Sequence, residues 1–541
     1  MKIVHPELEQ LANEYIKMQC EVFPFLATYY GFTERYSTLH YPTKEQLQSF
    51  IEFLENLLQK VTSISGKMDE LDKIDQEVLQ FIINLRIFEL QVFSYEKLNL
   101  SPPQLILRTA YNILSIPRLS NKEKLEYVLA NLRQGLDLFD SLRQTWEEPT
   151  LLALEDTFPQ AQNLQKILML LLKPLIDSFP DEKSIIEDLV VTISEKGRKF
   201  AHWLETEIKP RTTVTCHVLG RENYIKLLEM RKEGHNWSER LKIGENSLNG
   251  SKDRLIDLAK QITLGEGTIK AGLAKVRADQ PKIPILEEAK NAHQHVSRFL
   301  KDKGLLQVPT AQFEIIEPPS WDPFWGEGMM GASTAELLTE SPVLKIIIAP
   351  PQTEKGKQEL NRSYILLGVA HEGDAGHLSS YLLIKERKNI IKLLAPTRTG
   401  IDDRWTFYWE ELLREEGICP TLEYAFYQEY RTFWCSLRQI CDVKLHCGLM
   451  SFEECAQFLE EQGEVPPIMA KVYAKIILQA PGYFSSFIIG KQQLIKLREQ
   501  VKEQLGEKFA LELFHKWVGE AGPIPYAFLK REIQERTKEV K

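Results

Sequence analysis

Residues 369–381 read VAHEGDAGHLSSY. His371 and Glu372 open like a zinc peptidase motif, but the second histidine, His377, follows six residues after the first instead of four. In HExxH, the four-residue step puts both imidazoles on one helix face, and the glutamate serves as general base towards water. At about 100° per residue, six steps come to roughly 240°, so a straight helix would point His371 and His377 apart. The helix must therefore stop or bulge between them. Gly373 and Gly376 make such a break cheap. Taken alone, a His-Glu pair in an apolar run is more often a packed element than a metal site.

The surrounding chain narrows the choice. Its 541 residues suffice for a large core and for two or more domains. Hydrophobic residues make up 43% and charged residues 26%, an ordinary globular composition. A net charge of -9 leaves no basic surplus to neutralise phosphates, which argues against a nucleic-acid partner. The opening MKIVHPELEQ lacks the apolar core of a signal peptide. The most apolar stretch, ILMLLLKPLI at 167–176, is too short to span a bilayer and reads as a buried amphipathic helix. These features lead to the expectation of a soluble, cytoplasmic protein with no membrane partner. The seven cysteines form no CxxC pair, so reduced buried thiols are expected in place of a zinc ribbon.

Residues 1–305 read as a series of helices. In EQLQSFIEFLENLLQKV, QEVLQFIINLRIFELQVFSYEKL and KEKLEYVLANLRQGLDLFDSLRQTW, apolar residues recur at three and four. Breaks fall at proline-bearing segments such as SIPRLSN, where Ser120 is a candidate cap. Residues 306–541 differ at first. AQFEIIEPPSWDPFW and PVLKIIIAPP each hold a β-branched run closed by prolines and predict two short strands. The glycine-rich WGEGMMGASTAEL between them reads as a loop, and the aromatic cluster WDPFWGEG (321–328) lines a cleft or packs beside the strands. From SYILLGVAHEG onward helices return. The expectation is a mainly α protein with a small β element next to the His-Glu helix, a placement suited to holding an extended peptide. The two regions form one cleft-bearing unit in this reading.

The similarity extends past the first motif. HEGDAGH resembles the HExxPGH signature of the bacterial domain-of-unknown-function eight-eight-five family, whose members look like helical, gluzincin-type zinc metallopeptidases. DRWTFYWEELLREEG (403–417) is similar to the family's EGWALYxExLxxExG, and RQICDVKLHCGLMSFEEC (438–455) to RxxxDxxxHxxxxSxEEA. APGYFSSFIIGKQQLIKLRE (480–499) resembles PGQxxSYxxGxxxIxxLRE, and LGEKFALELFHKWVGEAGPIP (505–525) an LGxxFxxxxFHxxxLxxGxxP ending. GRENYIKLL near 220 fits a segment upstream.

The resemblance implies a large multi-helix, zincin-like peptidase fold with one Zn2+ held by His371, His377 and Asp403, although another divalent metal would also suit such ligands. Glu372 is then the general base, and the substrate a short peptide, attacked in the manner of a carboxypeptidase or oligopeptidase. Arg438, Asp442 and His446 recur at intervals of four and share a helix face. His446 could donate to an oxyanion and Arg438 could hold a carboxylate; the alternative is an Arg438–Asp442 ion pair with His446 packed.

The chain departs from the family pattern in three places. Ala375 stands for the proline, Asp403 for the third-ligand glutamate, and Tyr483 and Phe487 for the glutamine and tyrosine of PGQxxSY. Phe487 cannot stabilise an oxyanion, so that role falls to Tyr483. The departures leave a second reading, a helical peptide-binding scaffold without catalysis. His515 in FHKW reads equally as packing, and His293 and His295 as surface residues.

Overall fold

A computed structural model describes residues 4–93, 101–145, 149–309, 313–322, 326, 328–395 and 400–540. Helices run from Pro6–Val22 at one end to Tyr526–Val540 at the other, so the chain is mainly α. Several begin where a polar side chain satisfies one of the first free N–H groups. Thr43 and Gln46 form a reciprocal capping box at Lys44–Ser63, and Asn236 with Glu239 and Ser451 with Glu454 repeat it. Ser120 accepts from the Glu123 N–H at 3.2 Å at the start of Asn121–Thr145, as expected from the sequence. The apolar stretch at 167–176 lies in the Leu151–Ser178 helix and buries Leu168, Leu171, Leu172 and Leu175 along one side. One hydrophobic core draws on Leu8, Ile82 and Leu168 as well as on Leu367, Trp409 and Phe528, so residues on both sides of position 305 pack together. The seven cysteines are free thiols, five of them buried.

The β element has three strands, β1 (Glu314–Ile316), β2 (Met330–Ala335) and β3 (Val343–Ile348), in the order β1-β3-β2. β1 runs parallel to β3, and β2 antiparallel, with Ala332 opposite Ile346. The predicted strands are β1 and β3. β2 corrects the sequence reading, because MGASTA lies inside the stretch taken as a loop. Its small residues carry little strand preference; pairing with β3 makes them a strand. Of the aromatic cluster, Pro323, Phe324, Trp325 and Glu327 lie outside the described residues.

The sheet is a seat for the His-Glu stretch. Ile346 and Ile348 of β3 pack with Ile365 and Val369 of the helix Arg362–Glu372, and with Leu378 and Leu382 of the helix His377–Glu386. Full burial of each such side chain is worth about 1.5–3 kcal/mol. Asn361 caps the first helix by accepting from the Tyr364 N–H at 3.0 Å. Gly373 ends it and Gly376 precedes the second. A Cβ on Gly376 would lie 1.5 Å from the His371 carbonyl oxygen. The chain can double back here only because residue 376 has no side chain.

A second close approach brings up the carboxylate helix, Asp403–Glu415. Gly400 (φ +72°) precedes it, and a Cβ there would fall 2.2 Å from the Tyr483 carbonyl oxygen. The Trp405 indole N–H then donates to the Gly376 carbonyl at 3.1 Å, which ties this helix to the turn between the histidines.

Candidate metal centre

The broken helix turns His377 back onto His371, and their rings lie 5.0 Å apart at 83°. Asp403, the first residue of its helix, places Oδ1 3.7 Å from His371 Nε2 and 3.9 Å from His377 Nε2. One donor atom from each of the three lies within 4.8 Å of the others. Zinc bonds of about 2.1 Å in a tetrahedron separate donors by roughly 3.4 Å. The two aspartate distances need a contraction of only a few tenths of an ångström, and the donor chemistry of two imidazoles and a carboxylate suits zinc, so the residues fit the ion. The His377 side chain is 25% exposed, against 9% for His371 and 6% for Asp403, so the set opens to solvent on the His377 side.

Two of the three candidate ligands, His371 and Asp403, are oriented by a hydrogen-bonded neighbour. His371 Nδ1 donates to Glu410 Oε1 at 2.7 Å, which leaves its Nε2 lone pair facing Asp403. Glu410 in turn accepts from Arg431 at 2.7 Å (Oε1) and 3.2 Å (Oε2). Burial works to raise the Glu410 pKa, but Arg431 and His371 outweigh it and hold the carboxyl below its usual range. Asp403 Oδ2 accepts from the Tyr483 hydroxyl at 2.7 Å. Burial, and then the Asp403 charge, push the Tyr483 phenol well up. Asp402 Oδ2 lies 3.9 Å from His377 Nδ1. Burial and the adjacent Asp403 raise Asp402 to about 7. At His377, burial lowers the pKa, but Glu372, Asp403 and Asp402 together raise it above the ordinary value.

Glu372 ends its helix beside His371 and accepts from the Ala332 N–H of β2 at 3.0 Å. The other side of β2 pairs with β3, so this outward N–H marks the free edge of the sheet as one border of the site. His371, Glu372, His377, Asp403 and Tyr483 therefore come together.

The Leu422–His446 helix distributes its candidates differently. Asp442 accepts from the Gly482 and Ser485 N–H groups, each at 2.8 Å, and so holds the loop that presents Tyr483. It does not pair with Arg438, whose guanidinium stands 4.9 Å from the Phe484 ring centre and 5.7 Å from that of Phe487. His446 is fully buried, with Nδ1 accepting from the Leu219 N–H at 3.3 Å and Nε2 donating to the Ile477 carbonyl at 3.2 Å. Burial lowers its pKa, in keeping with a neutral ring. No ring nitrogen of His446 is left for an oxyanion, because the backbone occupies both.

The remaining histidines also find their places. His515 is buried between Tyr408 and the Leu305 carbonyl. His293, expected at the surface, is half-buried against Phe313 and 3.6 Å from Asp374 in the turn, where the Ser297 hydroxyl also donates. It lines a recess of about 440 Å³ with Lys290 and β1. None of His371, His377 and Asp403 lines that recess. Glu410 and Arg431 escaped the sequence reading. A signal existed: Glu410 follows Asp403 by seven residues, two turns along one helix face.

Two solved structures share this fold across nearly the whole chain. One is the "putative lipoprotein" from Colwellia psychrerythraea (TM-score 0.81, 15% identity, 99% of this chain and 100% of that one). The other is a "putative lipoprotein of unknown function" from Shewanella oneidensis (TM-score 0.77, 14% identity, 98% of this chain and 100% of that one). No curated protein matches. A family profile described as bacterial protein of unknown function, DUF885, matches residues 24–533. The chain thus belongs to the DUF885 family.

Proposed function

We propose that the protein is a zinc-dependent peptide hydrolase of zincin-like architecture acting on short peptides. The observation that carries this reading is the convergence of His371, His377 and Asp403 with Glu372 at the end of the same helix. A zinc ion held by the three ligands would supply Lewis acidity beside an open coordination position. Glu372 takes a proton from the attacking water and passes it to the amine nitrogen as the C–N bond breaks; the water oxygen stays on the new carboxylate. The free edge of β2 borders Glu372, so an extended peptide adding to that edge would bring its carbonyl past the base. Glu410 holds the His371 imidazole, and Tyr483 the Asp403 carboxylate, in the geometry this requires.

Metal analysis of the purified chain tests the site, with about one zinc per chain expected and none after His377→Ala. Glu372→Gln should keep the metal and lose hydrolysis of a peptide mixture. A chain that binds peptides but neither zinc nor water chemistry would be the scaffold instead. Among the described residues no single helix is long and apolar enough to cross a membrane. The neighbours' description as lipoproteins favours a place outside the cytoplasm over the cytoplasmic one expected from the sequence; cell fractionation separates the two.

A further inference from the structure

Along the Leu422–His446 helix, two arginines stand seven residues apart, two turns on one face. Arg431 is neutralised by Glu410. Arg438 has no carboxylate partner among the described residues. Its Nε is buried without an acceptor, and Nη2 reaches only the thiol of Cys435, at 3.4 Å. The nearest acid in sequence, Asp442, has both oxygens engaged by the Gly482 and Ser485 N–H groups. A half-buried guanidinium in this state carries a desolvation cost that, among the described residues, only ring faces and a thiol offset.

Its surroundings say what would offset it. The rings of Phe484 and Phe487 flank the guanidinium, and both lie 4.9 Å from the Tyr483 ring. The Tyr483 hydroxyl rests on Asp403. Two aromatic layers, a phenylalanine and then Tyr483, thus separate Arg438 from Asp403. Apolar walls of this kind exclude water, strengthen an ion pair and hold the planar fork of an arginine in one orientation. An anion reaching Arg438 while its own chain crosses the candidate metal centre has to lie a few residues from the bond being broken, as the end of a short peptide does.

We infer that Arg438 is the binding residue for the free C-terminal carboxylate of the peptide, which makes the protein an exopeptidase that trims from the C-terminus. This rests on the hydrolase reading above for the cleavage, but not for the binding. The C-terminal carboxylate and an acidic side chain near the cleaved bond share the required chemistry, and the experiment separates them.

The test uses the full chain carrying Glu372→Gln, so that peptides are bound and not consumed. A library of N-acetylated tetrapeptides, made once as free acids and once as C-terminal amides, is equilibrated with it by dialysis and read by mass spectrometry. Retention of free acids over amides by about ten- to a hundredfold is expected, the loss of a charge-assisted hydrogen-bonded pair. Arg438→Gln should abolish the discrimination with an unchanged circular dichroism spectrum, and Arg438→Lys should keep part of it, as a point charge without the fork. Equal retention of acids and amides, no retention of either, or discrimination that survives Arg438→Gln would overturn the inference. Selective retention of amides ending in Asp or Glu would overturn it in favour of an acidic side chain. If the free acids are selected while the zinc-loaded parent chain cleaves none of them, the hydrolase reading fails and the carboxylate site stands.

Discussion

Asp403 divides its two oxygens between different tasks: Oδ1 faces both histidines at 3.7 and 3.9 Å, while Oδ2 accepts the Tyr483 hydroxyl at 2.7 Å. An aspartate in place of the family's glutamate thus arrives with its rotamer already held. Tyr483, expected as an oxyanion donor, occupies its hydroxyl on Asp403.

Tyr483→Phe should therefore weaken metal binding. Loss of such an outer partner costs about ten- to a hundredfold in affinity. Competition against a chelator measures it, alongside hydrolysis at saturating metal. Full metal affinity with reduced turnover would return Tyr483 to the oxyanion role.

Glu410→Gln keeps a hydrogen-bond acceptor for His371 but removes the charge that neutralises Arg431. It should lower stability by about 1–3 kcal/mol and reduce zinc affinity together. Denaturant unfolding of the metal-free and zinc-loaded protein reads both. An effect on stability alone would mean that Glu410 does not act through His371.

Gly376→Ala places a methyl group 1.5 Å from the His371 carbonyl oxygen. The turn must open to admit it, at about 1–3 kcal/mol or more, and His377 moves off the ligand set. Thermal unfolding and metal content should fall in parallel. A zinc-bound variant of parental stability would show that the close approach is dispensable.

Acid should loosen the packing around His515. Its Nδ1–H donates to the Leu305 carbonyl and its Nε2 accepts from Tyr408, so the ring is neutral, and burial lowers its pKa to about 3. A folded-state pKa below the unfolded value of about 6.5 means the unfolded chain binds the proton first. The stabilising contribution is complete above pH 6.5 and is lost as pH falls towards 3. The slope attributable to one proton is about 1.4 kcal/mol per pH unit, and His515→Gln should remove it from the stability–pH curve. A parental slope in that variant would reject His515 as the acid-sensitive group.

Much was legible in the sequence. Helical periodicity, caps such as Ser120 and the proline-closed β-branched runs are local signals, set by side-chain spacing and backbone preference within a few residues. The same locality showed that the six-residue step from His371 to His377 requires a break, and that Gly373 and Gly376 permit one. Tertiary structure alone decided the rest. MGASTA is a strand because β3 offers it hydrogen bonds, although its own residues do not favour one. Glu410 and Arg431 acquire a role because separate helices bring them to His371. Asp442 became a brace for the Tyr483 loop, and His446 a packed ring, because backbone N–H and carbonyl groups from distant segments reached them first. The spacing of Arg438, Asp442 and His446 put them on one helix face; which neighbours that face would meet is a property of the folded chain.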